Sequence, residues 1–130
     1  MGTRSTIAKE NADGTITSIY CHWDGYPEGV GQTLIDHYTD LTKIDQLLAL
    51  GDLSILAEEI GEQHDFDNPT EGWTLAYGRD RGEDEPPMTH PNVDMWKAER
   101  YGNGCEYGYL WMNGTTVWTI FNLSRSDTNE

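Results

Sequence analysis

The sequence CHWDGYPEGVG, at residues 21–31, joins a predicted strand to a predicted helix through a tight loop. It follows the alternating segment TITSIY and leads into a helical pattern that starts near Val30. A junction of this kind places backbone N–H groups at a helix start, where an anion can bind. Because the segment also holds aromatic side chains, acidic side chains and three glycines, we interpret it as a recognition loop and call it the aromatic loop.

The aromatic loop suggests a site for a nucleotide-type ligand. A phosphate would bind the glycine-rich helix start, and the aromatic rings would stack on a base, a contact worth about 1–3 kcal/mol in single-stranded complexes. Two arginines after a later strand would add bidentate phosphate contacts. The predicted ligand-binding residues are His22, Trp23, Asp24, Tyr26, Gly29, Gly31, Arg79 and Arg81. The alternative is that the aromatic rings only pack the hairpin against the helix and that neighbouring carboxylates pair with the arginines.

A β-hairpin is predicted before this loop, over residues 6–23. Its turn is Asp13-Gly14, a dipeptide that favours a two-residue type I′ turn. A two-residue turn at this place sets Ile7 opposite Tyr20.

A second hairpin is predicted near the C-terminus, around Asn113-Gly114. A two-residue turn sets Leu110 opposite Val117 and Tyr109 opposite Trp118. A single further strand is predicted over residues 73–78, WTLAYG.

Helical spacing of apolar residues predicts the remaining elements. A short helix is expected over residues 29–38, and a second over residues 41–50, capped by Thr39 or Asp40 and ended by Gly51. A third is expected to start at Asp52 and to end at Gly61. A fourth short helix is expected over residues 92–101, carrying Val93 and Trp96.

These elements predict one α+β domain over residues 1–123, followed by a polar tail at residues 124–130. The expected sheet is mostly antiparallel, with about five strands from the two hairpins and the single strand. Two or three helices are expected to pack on one face. Cys21 and Cys105 are predicted to be reduced and buried, because no secretory signal precedes them.

The charge of the chain is its strongest overall feature, because 23 acidic side chains against eight basic ones give a net charge of −15. This charge argues against direct binding to nucleic acid or to an anionic membrane, and favours a partner with a basic surface. Residues 52–85 alone hold eleven acidic and two basic side chains, a net charge of −9. The predicted partner-binding residues are Glu58, Glu59, Glu62, Asp65, Asp67, Glu71, Asp80, Glu83, Asp84 and Glu85. The alternative is a solvated face whose charge serves solubility.

No catalytic or metal-binding motif is found in the sequence. Cys21 and His22 are adjacent on a predicted strand, so their side chains point to opposite faces and cannot act as nucleophile and base. The histidines of His22-x-Asp24 and of residues 64–67, HDFD, lack the spacing of a metal site, and His90 lies far from both. We therefore predict a non-enzymatic protein without a metal or cofactor.

Several segments resemble a set of small proteins encoded by tailed phages and prophages. The resemblance covers roughly residues 1–82 and lies in MGTRSTIA, IYCHWDGYPEGVG, LLALGDLSIL, EEIGEQHDF and AYGRDRGE. It implies a viral accessory protein in the cytoplasm of an infected bacterium. It brings no catalytic residues with it.

The function expected from these observations is binding and inhibition of a host or anti-phage defence protein, for example one that handles nucleic acid. The acidic segments would face the basic groove of that partner. A second hypothesis is a sponge that sequesters a nucleotide-type signal in the aromatic loop. A third is a virion or assembly component.

Overall fold

The computed structural model describes residues 3–123, so the predicted tail at residues 124–130 lies outside the described residues. They form an α+β fold with a seven-stranded mixed sheet and four α-helices. The strands are β1 (Ser5–Glu10), β2 (Ile16–Cys21), β3 (Leu53–Ile55), β4 (Leu75–Ala76), β5 (Met88–His90), β6 (Tyr107–Trp111) and β7 (Trp118–Asn122). The helices are α1 (Gln32–His37), α2 (Leu41–Ala49), α3 (Tyr77–Arg81) and α4 (Val93–Gly102).

The two hairpins share one sheet, whose order is β4-β3-β2-β1-β6-β7, with β5 also paired to β2. The prediction of a mostly antiparallel sheet is wrong, because β1 pairs with β6 in parallel and β2 pairs with β3 in parallel. These parallel pairings join segments that lie far apart in sequence, so no turn motif in the sequence predicts them.

Helices cover both faces of the sheet, whereas the sequence predicted them on one face. One core contains α1 and α2 residues such as Leu34 and Leu47 packed with Ile7 and Ile19. The second core contains Trp96 of α4 together with Ala8, Ile16 and Leu110. Since neighbouring residues on a strand point to opposite faces, Ile7 and Ala8 serve different cores.

The first hairpin forms as predicted, but its register differs by one residue, with Ile7 opposite Ile19 rather than Tyr20. The turn contains three residues instead of two: the Asn11 N–H donates to the Thr15 carbonyl and the Gly14 N–H to the Asn11 carbonyl. Gly14 has φ of 87°, a left-handed conformation that glycine adopts without a steric cost. The Asp13 carboxylate accepts from both the N–H and the hydroxyl of Thr15, which fixes this wider turn.

The second hairpin is also wider than predicted, since Leu110 faces Thr119 rather than Val117, and Trp111 faces Trp118. The Thr115 N–H and hydroxyl both donate to the Met112 carbonyl, and a six-residue connection, residues 112–117, replaces the two-residue turn. A shift of two residues keeps each side chain on its predicted face.

Helix α2 ends before Gly51, as predicted, and α4 begins after Asn92, whose side chain accepts from the Met95 N–H. The short helix predicted over residues 29–38 begins earlier, as a π-helical turn at the end of the aromatic loop, Pro27–Gly31, that continues into α1. The predicted helix from Asp52 to Gly61 is wrong: Leu53–Ile55 is β3, which pairs with β2 and β4. The predicted strand over residues 73–78 is shorter, because Tyr77 already begins α3.

No helix within residues 3–123 is long and apolar enough to cross a membrane.

Candidate functional site

The long connection between β3 and β4 carries six exposed carboxylates, and we call residues 58–71 the acidic loop. Its base is closed by a bridge between Glu59 and Trp73, in which the Glu59 N–H bonds the Gly72 carbonyl. None of the ion pairs formed among residues 3–123 uses these carboxylates. The six residues are Glu58, Glu59, Glu62, Asp65, Asp67 and Glu71.

Arg79 donates hydrogen bonds to backbone carbonyls of the acidic loop and so fixes its conformation. Its guanidinium donates to the carbonyls of Ile60 at 2.9 Å, Gly61 at 3.3 Å and Thr74 at 2.7 Å. Two further bonds, at 3.0 and 3.2 Å, reach the carboxylate of Asp80. Because these contacts occupy all five N–H groups, Arg79 has no donor left for a phosphate. The structure therefore does not place Arg79 in a ligand site.

The sequence analysis placed Asp80 in the acidic surface. In the structure Asp80 is instead the buried partner of Arg79. Its side chain has no exposed area, and it also accepts from the backbone N–H of Ala76 at 2.8 Å and of His64 at 3.1 Å. Burial alone would raise the pKa of this carboxyl, but hydrogen bonds from Arg79, Ala76 and His64 outweigh it and lower the pKa below its usual value. Asp80 is thus an ionised anchor for the loop.

His64 lies inside the acidic loop and uses both ring nitrogens for structure. Nδ1 accepts from the Thr70 N–H at 2.8 Å, so Nε2 carries the proton and donates to the Thr74 carbonyl at 3.0 Å. The ring also packs edge-on against Trp73. His64 therefore fixes the loop, and within residues 3–123 no three His, Cys, Asp or Glu side chains lie together as metal ligands would.

The second predicted acidic segment, residues 80–85, is only partly available. Glu83 forms an ion pair with Arg81, whose guanidinium lies 4.3 Å from the ring centroid of Phe66 and 5.1 Å from that of Tyr77. Phe66 belongs to the acidic loop, so Arg81 fixes this loop rather than a ligand. Asp84 and Glu85 stay exposed and extend the acidic surface.

Two of the backbone N–H groups in the predicted phosphate site of the aromatic loop are bonded within the loop itself. The Val30 N–H donates to the Asp24 carbonyl at 2.8 Å, and the Gly29 N–H donates to the Tyr26 carbonyl at 2.9 Å. Gly31 is buried, and a Cβ at this position would lie 3.0 Å from the Tyr109 ring. These glycines allow close packing, and the N–H groups of Gly29 and Val30 are already bonded.

The side chains of the aromatic loop remain partly accessible. Trp23 is 41% exposed and Tyr26 is 39% exposed. His22 stacks edge-on against Trp23, and its Nδ1 bonds the hydroxyl of Tyr20 at 2.8 Å, while Tyr26 bonds the Asp24 carboxylate. The aromatic loop thus presents aromatic surface, while the two arginines that were predicted to join it, Arg79 and Arg81, contact the acidic loop.

Ser18, His90 and Glu99 form a hydrogen-bonded series beside α4 that resembles a hydrolytic triad. The sequence analysis did not predict this arrangement. Ser18 Oγ lies 2.7 Å from His90 Nε2, and His90 Nδ1 lies 2.5 Å from a Glu99 oxygen. Ser18 has no exposed area and also accepts from Arg100 Nε, which is itself buried. A substrate therefore cannot reach the hydroxyl, and the hydrogen-bonded series ties α4 and β5 to β2. Because its members are separated by up to 82 residues, no local motif marks it.

Comparison of this chain with protein-family models, with curated proteins and with solved structures finds no match.

Proposed function

We propose that this chain is a non-enzymatic phage accessory protein that binds and inhibits a host or anti-phage defence protein. The acidic loop, extended by Asp84 and Glu85, contacts a basic groove on that partner in the cytoplasm of the infected bacterium. A groove that normally holds nucleic acid has the matching chemistry, because closely spaced carboxylates present negative charge as phosphates do.

The observation that supports this proposal is the contrast between the two sides of the acidic loop. Its outer side carries six exposed carboxylates without an ion pair among the described residues. Its inner side is fixed by Arg79, Asp80 and His64 through bonds to backbone groups. A long loop that is held in one conformation loses little entropy on binding, so its charges can contribute their full attraction.

The three lysines within residues 3–123 also support this assignment. Lys9 pairs with Asp45, Lys43 donates to the carbonyls of His37 and Glu58, and Lys97 lies over Phe121. None of these three lysines forms an ion pair with a carboxylate of the acidic loop, which favours an external partner for those carboxylates.

The test is affinity capture from infected bacteria, followed by elution with increasing salt. We expect a basic host protein that is released by salt, because exposed charge pairs are screened. The combined variant Glu58→Gln, Glu59→Gln, Asp65→Asn and Asp67→Asn should lose both capture and inhibition.

The matched control removes four exposed carboxylates outside the acidic loop, through Glu28→Gln, Asp36→Asn, Asp94→Asn and Glu106→Gln. This control changes the net charge equally and should retain capture. If both variants behave alike, net charge rather than the acidic loop is responsible. If inhibition survives the loop substitutions at low salt, the proposal is wrong.

The sponge hypothesis gives a different result in the same experiment. A small molecule would co-purify and would be lost in Trp23→Ala, while the loop substitutions would have no effect. The exposed faces of Trp23 and Tyr26 are the feature that this alternative would use.

A further inference from the structure

A cleft lies at one end of the sheet, where three parts of the chain meet. Its lining residues come from the end of β1 with the following turn (residues 9–12), the corner between α1 and α2 (residues 35–41) and the connection between β6 and β7 (residues 111–118). The cleft has a wider part of about 600 Å³ and a narrower part of about 370 Å³, which adjoin because Thr39 and Thr116 line both. Cavities of about 300–1,000 Å³ are typical of sites for small organic molecules.

The three walls of the cleft are bonded to one another. Lys9 Nζ lies 2.6 Å from Asp45 Oδ1, which joins β1 to α2. The Asn113 N–H donates to a Glu10 carboxylate oxygen at 3.0 Å, which joins β1 to the connection between β6 and β7. The indole N–H of Trp118 donates at 2.8 Å to the carbonyl of the residue that follows α1. Because each wall is bonded to the other two, the cleft is preorganised and a ligand need not order it.

The narrower part of the cleft is mainly apolar. Ile35, Val117 and Trp118 line it together with two threonines. Ile35 is 45% exposed and Val117 is 64% exposed, so both leave apolar surface in contact with water. An apolar group placed between these side chains would bury that surface, which is favourable.

The wider part of the cleft carries its charged groups. Lys9 is the single basic residue among those that line it, and Lys9 is already paired with Asp45. Glu10 and Asp40 line the same part, and none of the ion pairs formed among residues 3–123 involves either carboxylate. The Asp40 side chain also makes no capping hydrogen bond at the start of α2. The wider part therefore has an excess of negative charge, which attracts a cation.

We propose that the cleft binds a small organic cation in which an ammonium group is joined to an aromatic or branched apolar group. The ammonium group is recognised by the carboxylates of Glu10 and Asp40, and the apolar group contacts Ile35 and Val117. An anionic ligand would be repelled by the two carboxylates. A metal ion does not fit, because within residues 3–123 no three His, Cys, Asp or Glu side chains lie together as metal ligands would.

Titration of the isotope-labelled full chain with phenethylamine, followed by amide NMR signals, tests the proposal. We expect saturable shifts at Thr39, Asp40 and Val117, with a dissociation constant of about 1 mM or lower. Phenylpropionate carries a carboxylate in place of the ammonium group and should not shift these signals. The proposal is overturned if about 10 mM phenethylamine gives no saturable shift, or if both compounds bind equally well.

Substitutions test each part of the cleft. Glu10→Gln combined with Asp40→Asn removes both charges but keeps acceptor oxygens, and should weaken phenethylamine binding by about tenfold or more. Asp94→Asn combined with Glu106→Gln changes the net charge equally at exposed positions outside the cleft and should leave binding unchanged. Val117→Lys places a cation in the narrower part, at a highly exposed position, and should abolish binding. Wild-type affinity in the cleft variants, or equal weakening by both charge pairs, would contradict the proposal.

The cleft is separate from the acidic loop, since none of residues 58–71 lines it. Neutralising Glu58, Glu59, Asp65 and Asp67 should therefore leave the affinity for phenethylamine unchanged. A loss of binding in that variant would mean that the overall charge of the chain, rather than the cleft, attracts the amine.

Discussion

Asp80→Asn is the most informative single substitution, because it removes the charge that holds the acidic loop and leaves the loop's exposed carboxylates in place. Asp80 accepts four hydrogen bonds, two from Arg79 and one each from the N–H groups of His64 and Ala76. An amide keeps one acceptor oxygen and turns an NH₂ group toward donors that previously met the second oxygen.

The expected loss of unfolding free energy is about 3 kcal/mol. Removing one member of a buried ion pair typically costs about 3–5 kcal/mol, since the other charge is left uncompensated. The lower end applies here because the guanidinium of Arg79 keeps its bonds to the carbonyls of Ile60, Gly61 and Thr74.

Urea denaturation at neutral pH measures this loss, and Asp84→Asn is the control. Asp84 is exposed and has no ion pair among the described residues, so its substitution should change the stability by less than about 0.5 kcal/mol. Amide hydrogen exchange at His64 or at Ala76 should accelerate in Asp80→Asn alone, because the amide keeps only one acceptor oxygen for these two N–H groups. A loss below about 1 kcal/mol together with unchanged exchange would refute the view that Asp80 anchors the loop.

Three further outcomes follow from the structure. The stability difference between the wild type and Asp80→Asn should shrink as the pH falls below about 4. Folding lowers the pKa of the Asp80 carboxyl, so this group stabilises the fold above its unfolded pKa and loses that contribution when it is protonated. Acid titration of both proteins measures this difference. Cys21 and Cys105 should react with a thiol reagent at pH 8 only after unfolding, because burial raises the pKa of each thiol to about 12, and rapid labelling of the folded protein would contradict this. Gly14→Ala should lower the unfolding free energy by about 1 kcal/mol because of its positive φ, whereas an unchanged denaturation midpoint would argue against the three-residue turn.

Local sequence signals predicted the elements whose causes are local. The leucine spacing of α2, the short helix α4 and the two hairpins were all visible in this way. The register of the first hairpin was not, because it depends on the Asp13 carboxylate bonding Thr15 in place of a two-residue turn. Strand β3 was mistaken for a helix because Leu53, Leu56 and Ile60 have helical spacing, while Leu53 and Ile55 also fit the alternation of a strand. Only the long-range pairing of Leu53 with Cys21 decides between the two.

The candidate site shows the same division. The exposure of the carboxylates at residues 62–71 was predictable from a polar segment with many charges, whereas Glu58 and Glu59 were expected at the end of a helix. The roles of Arg79 and Asp80 were not, because their partners are carbonyl and N–H groups of distant segments, which every sequence contains. The one available signal was the adjacency of two opposite charges before Gly82, and it also fits a solvated turn.

The central position of β1 has a consequence for the order in which the molecule folds. Ser5 of β1 pairs with Tyr107 of β6. The two edges of β1 are therefore both hydrogen-bonded only after β6, the second-last strand, has formed. Closing so long a loop is entropically costly and slows folding compared with local pairing. During synthesis on the ribosome, the first hairpin therefore leaves the ribosome with one side of β1 unpaired. We expect the sheet to be completed only after β6 has left the ribosomal exit tunnel.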